Sequence, residues 1–145
     1  MNSTLNNANR FNGFANTYES ARPSMPYYPV NVIHQYLGKY PEAVVDLGCG
    51  TGLSTMVWEG NCIKAVGIEP NEDMLAIALR KQNDKISFVK AFSHATGLPD
   101  RSANAVICSQ SFHWMEPTET LAEVNRILNC GGIFATVDCD WPKDI

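Results

Sequence analysis

Three glycines and two acids are the residues here whose types and spacing could do chemistry. Val45-Asp46-Leu47-Gly48-Cys49-Gly50-Thr51-Gly52 follows a short apolar run and precedes a helical pattern. Glycines at such a junction let the chain turn sharply and let a ligand approach main-chain atoms. The helix N-terminus beyond them favours anionic groups. The spacing is G-x-G-x-G, unlike the G-x-G-x-x-G of a dinucleotide fingerprint, and no G-K-[ST] follows, which excludes a triphosphate P-loop. Glu69 ends the next apolar run, 23 residues after Asp46. A carboxylate there can accept both hydroxyls of a ribose and would repel a ribose phosphate.

A ligand suited to these parts has a ribose and a base but needs no phosphate. S-adenosylmethionine fits. Its carboxylate can meet loop amides, and its ammonium can meet carbonyls and acids, with Asp46 assisting directly or through water. Two other readings stand beside this one. The loop can be a tight strand-to-helix turn without a ligand, or part of an NAD-binding domain, which the glycine spacing disfavours.

These residues must be held by alternating elements. Ala43–Leu47, Ile63–Glu69, Ile86–Lys90, Ala103–Ser109 and Ile133–Asp138 read as strands. Val30–Tyr40 reads as a helix with Val32, Ile33, Tyr36 and Leu37 on one face. Leu53–Glu59 reads as a second helix. Asn71–Gln82 is a third, with Met74, Leu75, Ala78 and Leu79 on one side and Pro70, Glu72 and Asp73 suited to its start. Pro117–Leu128 is a fourth, with Leu121, Val124 and Leu128 inward and Gly131-Gly132 ending it. A long loop covers residues 91–102. Short apolar strands alternating with amphipathic helices predict an α/β fold, a parallel sheet with helices on both faces. Ligands then lie at the carboxyl ends of the strands.

The composition is consistent with one domain. The chain has 145 residues, 45% of them hydrophobic and 18% charged, with a net charge of −4. That balance supports an ordinary core and lacks a basic nucleic-acid footprint, so nucleic acid is a poor first guess for a partner. No apolar run is long enough to span a membrane, and Met1–Asn12 is polar. A soluble cytoplasmic protein is expected. Cys49, Cys62, Cys108, Cys130 and Cys139 form no C-x-x-C pair and have no His at zinc spacing, so they are read as reduced thiols and no metal site is assigned.

With these motifs in place, the chain resembles the class I S-adenosylmethionine-dependent methyltransferases from about Tyr18 to Asp138. Asp46–Gly52 is similar to that family's first motif and Glu69-Pro70-Asn71 to its second. Phe88-Val89-Lys90, Thr96-Gly97-Leu98-Pro99-Asp100, Gln110-Ser111-Phe112-His113-Trp114 and Leu128–Gly132 resemble the methyltransferase type 11 group. The Thr-Gly-Leu-Pro-Asp and Phe-His-Trp pair points to its trans-aconitate methyltransferase-like branch.

The resemblance implies a Rossmann-like doubly wound sheet of five mostly parallel strands in the order 3-2-1-4-5. It implies an arm, residues 1–28, closing over the cofactor site, and a cofactor-binding domain, residues 29–145. It also implies cofactor contacts. Gly48, Cys49 and Gly50 would line the methionine end, Glu69 would bind the ribose diol, and Pro70 and Met74 would flank the adenine. Ser93, His94 and Ala95 would read the adenine edge. Ser109 and Gln110 would face the methyl donor, and Tyr18 and Arg22 from the arm would close over it. The product would be S-adenosylhomocysteine. The family's last two strands have no counterpart after Asp138, so the chain reads as truncated, with an open sheet edge that a homodimer would cover.

Methyl transfer is an in-line displacement that needs alignment and exclusion of water. A hydroxyl or nitrogen acceptor also needs a base. His113 is the candidate base, between Phe112 and Trp114, which could wall a small-molecule acceptor. The alternative is local packing of that tripeptide. His34 and His94 are weaker candidates. Two functions are therefore expected: a small-molecule methyltransferase, or a non-catalytic cofactor-binding or interaction module.

Overall fold

The computed structural model describes residues 27–138. They form one sheet of five parallel strands: β1 (Ala43–Leu47), β2 (Lys64–Ile68), β3 (Ile86–Val89), β4 (Ala103–Ser109) and β5 (Leu128–Val137). The order is β3-β2-β1-β4-β5, as the resemblance implied, and every pairing is parallel. Helices α1 (Tyr28–Leu37), α2 (Leu53–Met56), α3 (Glu72–Leu79) and α4 (Pro117–Ile127) connect or flank the strands.

Alternation across the strands divides the core in two. Val44, Ala65, Ile86, Ala105 and Ile107 face α1, Trp58 and α3. Val45, Leu47, Ile68, Val106 and Cys108 face α4 and the short 3₁₀ turn Phe112–Trp114. All seven residues of β4 are buried, as expected for a central strand covered on both sides. No helix joins β3 to β4. That connection is a loop, and Leu98 from it packs into the second core.

The expected helix faces shift in two places. In α1, Val30, Ile33 and Leu37 lie against the core, while Tyr36 is 79% exposed. Pro29 in its first turn starts this helix earlier than the apolar pattern suggests, and Gly38, at φ +68°, ends it. In α4 the inward residues are Thr120, Glu123, Val124 and Ile127, and Leu121 is exposed. A buried acid thus occupies the inward stripe. In α3, Leu79 likewise turns outward while Ile77 is buried.

Gly131 and Gly132 do not stop α4. The helix passes directly into β5 at Leu128, and the glycines sit in a register shift between the Ala103 and Ala105 pairings. Among the described residues, β5 pairs only with β4. Cys49, Cys62 and Cys108 are free and buried, whereas Cys130 is free and exposed. No helix among the described residues is long and apolar enough to cross a membrane.

Candidate functional site

Strand order reverses between β1 and β4, because β2 and β3 lie to one side of β1 and β4 and β5 to the other. The crevice outside the carboxyl ends of these strands is where an open α/β sheet holds its ligand. The glycine loop leaves β1 at this point.

Gly48, Gly50 and Gly52 have φ of +65°, +59° and +91°, a region costly for residues with a Cβ. Two of them are also packed too tightly for a side chain. A Cβ on Gly48 would stand 2.9 Å from Ser111 Cβ and Met115 Cε, and one on Gly52 would stand 2.9 Å from Phe88 Cζ. The amide of Cys49, between them, donates to the Ile68 carbonyl at 3.0 Å, so the loop is laced to the end of β2. Burial, with Asp46 and Glu69 nearby, pushes the Cys49 thiol well up, which leaves it neutral and unreactive.

Glu69 is the acid at the end of β2. It is 8% exposed. Its Oε1 accepts from the Gly50 amide at 2.9 Å and its Oε2 from the Asn71 amide at 2.8 Å. Burial raises its pKa to about 6 against the pull of those two amides, with Asp46 adding to the rise. An ionised carboxylate has about four acceptor sites. Two are used here, which leaves acceptor capacity for a vicinal diol. The residues present therefore fit the ribose of S-adenosylmethionine by the chemistry of this donor set. The Gly50 amide, one of the loop amides expected to meet a ligand's carboxylate, donates in this structure to the protein's own Glu69.

Asp46 is 1% exposed. Its Oδ2 accepts from Ser54 Oγ at 2.6 Å and Thr55 Oγ1 at 2.7 Å. Both hydroxyls belong to α2, so Asp46 ties the end of β1 to the helix after the loop. On the other side of the crevice, Ser111 Oγ donates to the Leu47 carbonyl at 2.9 Å. Ser109 is buried, and Gln110 adopts φ +54° while its amide donates to the Val137 carbonyl at 2.7 Å. A non-glycine residue held in this region stores strain of about 1–3 kcal/mol.

The remaining candidates are placed around this frame. Pro70 is half-buried; Asn71 caps α3, its Oδ1 accepting from the Met74 amide at 3.0 Å, and Met74 is buried. The loop after β3 starts beside the acid, since the Glu69 amide donates to the Val89 carbonyl at 3.1 Å. Ser93 Oγ shares a hydrogen bond with Thr120 Oγ1 at 3.0 Å. His94 stacks on Phe92 at 5.3 Å, and its sheltered Nδ1 has no hydrogen-bond partner among the described residues. Ala95 is exposed.

His113 lies exposed on the 3₁₀ turn with its ring 4.5 Å from that of Trp114. His34 is occupied elsewhere, its Nε2 2.9 Å from the Asn61 carbonyl. Tyr18 and Arg22, and most of the expected arm, lie outside the described residues. Among the described residues no cluster of three or more His, Cys, Asp or Glu side chains is placed to hold a metal ion.

The structure thus joins Asp46, Gly48, Cys49, Gly50 and Glu69 into one laced unit, with Ser109 and Gln110 brought alongside by Ser111. It does not bring His113 into a buried setting. The residues that sequence reasoning missed are supporting ones: Ser54, Thr55, Ser111, Glu123 and Arg126. Glu123 gives no signal in the sequence, because the stripe expected to face inward is Leu121, Val124 and Leu128, and only the observed phase of α4 turns the acid to the core.

A family model described as a methyltransferase domain matches residues 45–136. The "Probable S-adenosylmethionine-dependent methyltransferase CRG1" of Saccharomyces cerevisiae is 33% identical over 124 residues, covering 81% of this chain and 43% of the yeast protein. "Uncharacterized methyltransferase Mb3374" of Mycobacterium bovis is 32% identical, covering 84% of this chain and 49% of that protein. A protein of Anaeromyxobacter dehalogenans assigned to the type II methyltransferases superposes with a TM-score of 0.73 at 25% identity, over 81% of this chain and 48% of that one. The [4+2]-cyclase SpnF superposes with a TM-score of 0.65 at 25% identity, over 79% and 46%. The chain spans about half the length of the curated relatives it matches.

Proposed function

The chain belongs to the methyltransferase-domain family, and from that premise we propose that it binds S-adenosylmethionine and serves methyl transfer to a small-molecule acceptor. The observation that carries this reading is the buried Glu69 carboxylate bonded to the Gly50 amide at the crevice. A small acceptor is favoured over nucleic acid by the net charge of −4.

When bound, the cofactor supplies an activated methyl on a sulfonium. The chain's work is then to bind, orient and exclude water. Glu69 accepts the ribose hydroxyls while keeping its amide partners. Asp46, through Ser54 and Thr55, fixes the glycine loop against which the amino-acid end lies. Pro70 and Met74 bound the base, and Ser93, His94 and Ala95 meet its edge. Gln110, held in its strained conformation beside Ser109, faces the reacting end. To Tyr18 and Arg22, which lie outside the described residues in the arm 1–28 before the cofactor-binding domain, we assign the role of closing over the site. His113 takes a proton only where the acceptor is a hydroxyl or nitrogen.

Calorimetric titration with S-adenosylhomocysteine tests the cofactor half. Saturable binding that is weakened in Glu69→Ala supports it, and no binding by a folded chain counts against it. Transfer of labelled methyl from S-adenosylmethionine to a panel of small carboxylates, hydroxyls and amines then separates an enzyme from a binding module. A second copy pairing along the edge of β5, which carries no further strand among the described residues, is tested by sedimentation, where a monomer at every concentration refutes it.

A further inference from the structure

Among the described residues, one buried acid has no part in the proposed chemistry. Glu123 lies on the inward stripe of α4 and is 8% exposed. Its Oε2 accepts from both the amide and the hydroxyl of Thr96, at 2.8 and 2.7 Å. Arg126 grips the same carboxylate side-on, Nε to Oε1 at 2.7 Å and Nη2 to Oε2 at 2.9 Å. Its third nitrogen, Nη1, reaches Asp100 Oδ1 at 2.6 Å. The carbonyls of Arg126 and Ile127 accept from the amides of Arg101 and Ser102 at 2.9 and 2.8 Å. Ser93 and Thr120 add a fifth tether further along.

Burying a charge is costly unless it is paired and hydrogen-bonded. A leucine at this position would fill the stripe without that cost. The carboxylate therefore has a use that packing does not explain. Its partners show what that use is, because the one residue it holds outside its own helix, Thr96, lies in the loop between β3 and β4. That loop has no helix of its own to hold it. It starts beside Glu69, and it carries His94, whose Nδ1 is sheltered without a partner among the described residues.

We propose that Glu123 is a positioning residue for nucleobase recognition: through Thr96, and with Arg126 and Asp100, it fixes the loop that presents Ser93, His94 and Ala95 to the base. This rests on the reading of the site as one for an adenosyl ligand. Glu123 touches no ligand itself. Its effect is to remove the loop's freedom before binding, so that ordering is not charged against affinity.

The test compares S-adenosylhomocysteine with S-inosylhomocysteine, which differ only at the base edge, by calorimetry on wild type, Glu123→Gln, Glu123→Ala and Thr96→Val. Wild type is expected to prefer the adenosyl ligand. Glu123→Ala is expected to lower adenosyl affinity about tenfold, on the order of the cost of ordering one or two loop side chains at the moment of binding. The preference should shrink with it. Glu123→Gln should restore part of the preference, and Thr96→Val should reduce it from the loop side, which covers the case that the alanine variant fails to fold. Hydrogen exchange at the amides of residues 93–98 in the ligand-free protein should quicken in both Glu123→Ala and Thr96→Val. If the folded variants lose affinity for both ligands equally, Glu123 is only structural and the proposal is overturned. If wild type binds neither ligand, the adenosyl reading itself fails and the proposal falls with it. Binding with an unchanged preference in the variants overturns the proposal alone.

Discussion

The carboxylate of Glu69 and the backbone amide of Gly50 are joined across 2.9 Å, so the acid after β2 and the glycine loop after β1 form a single unit. The bond spans 19 residues of sequence. It means that the loop's conformation and the acid's orientation are set together, before any ligand arrives.

Removing the acid therefore costs binding in two ways, by losing the diol's acceptor and by releasing the loop. Glu69→Ala is expected to weaken S-adenosylhomocysteine binding by about 1.5–3 kcal/mol, the range for hydrogen bonds to a charged group. That is roughly tenfold to 150-fold in the dissociation constant. A calorimetric constant that is unchanged in a folded variant would remove Glu69 from the ribose site.

Burial places the Glu69 pKa at about 6, and this gives two pH effects of opposite sign. The folded chain takes up this proton more readily than the unfolded chain does. Stability from this group therefore rises as pH falls from about 6 toward the ordinary carboxylate range. Ligand affinity should fall over the same interval, because a protonated carboxyl is a poorer acceptor. Titrations and urea melts between pH 5 and 7, on the order of the window in question, should show both trends in wild type and neither in Glu69→Gln.

Glu123 should titrate the other way. Its hydrogen bonds from Arg126, with those from Thr96, outweigh burial and hold it down to about 2. Its contribution is present above the ordinary carboxylate range and is lost as pH falls toward 2. Acid unfolding followed by circular dichroism should begin at higher pH in Glu123→Gln, because that variant lacks the carboxylate's stabilisation from the start and so has less to lose before other groups unfold it.

Gly48→Ala is expected to destabilise the fold by about 2–4 kcal/mol, combining the left-handed backbone with overpacking. The added Cβ would stand 2.9 Å from Ser111 and Met115 and would press on the Ser111–Leu47 bond. A lower urea midpoint with an unchanged slope is the expected result, and an unchanged midpoint would show that the two strand ends yield easily.

His113→Ala should leave stability within about 0.5 kcal/mol, as for most exposed positions. It should also leave S-adenosylhomocysteine affinity unaltered, since the ring sits outside the laced unit. A loss of affinity would place His113 at the cofactor instead.

Local chemistry made much of this protein legible from sequence. The glycines before α2 and the acid after β2 announce themselves, because a turn with positive φ demands glycine and a lone acid at a strand end has few other uses. The β1 and β4 segments read as strands because burial on both faces demands apolar runs with almost no polar interruption. Helix phase was less legible. Leu121 and Tyr36 look like core residues, yet α4 and α1 turn them to solvent because the neighbouring stripe fits the sheet. Only tertiary structure decided that Asp46 would be engaged by Ser54 and Thr55, and that Gly50 would donate to Glu69. It also decided that Glu123 would be buried to hold a loop 27 residues away in sequence. Those bonds form between segments that the sheet order brings together, and a carboxylate's partner is fixed by position in space, which residue spacing along one element does not encode.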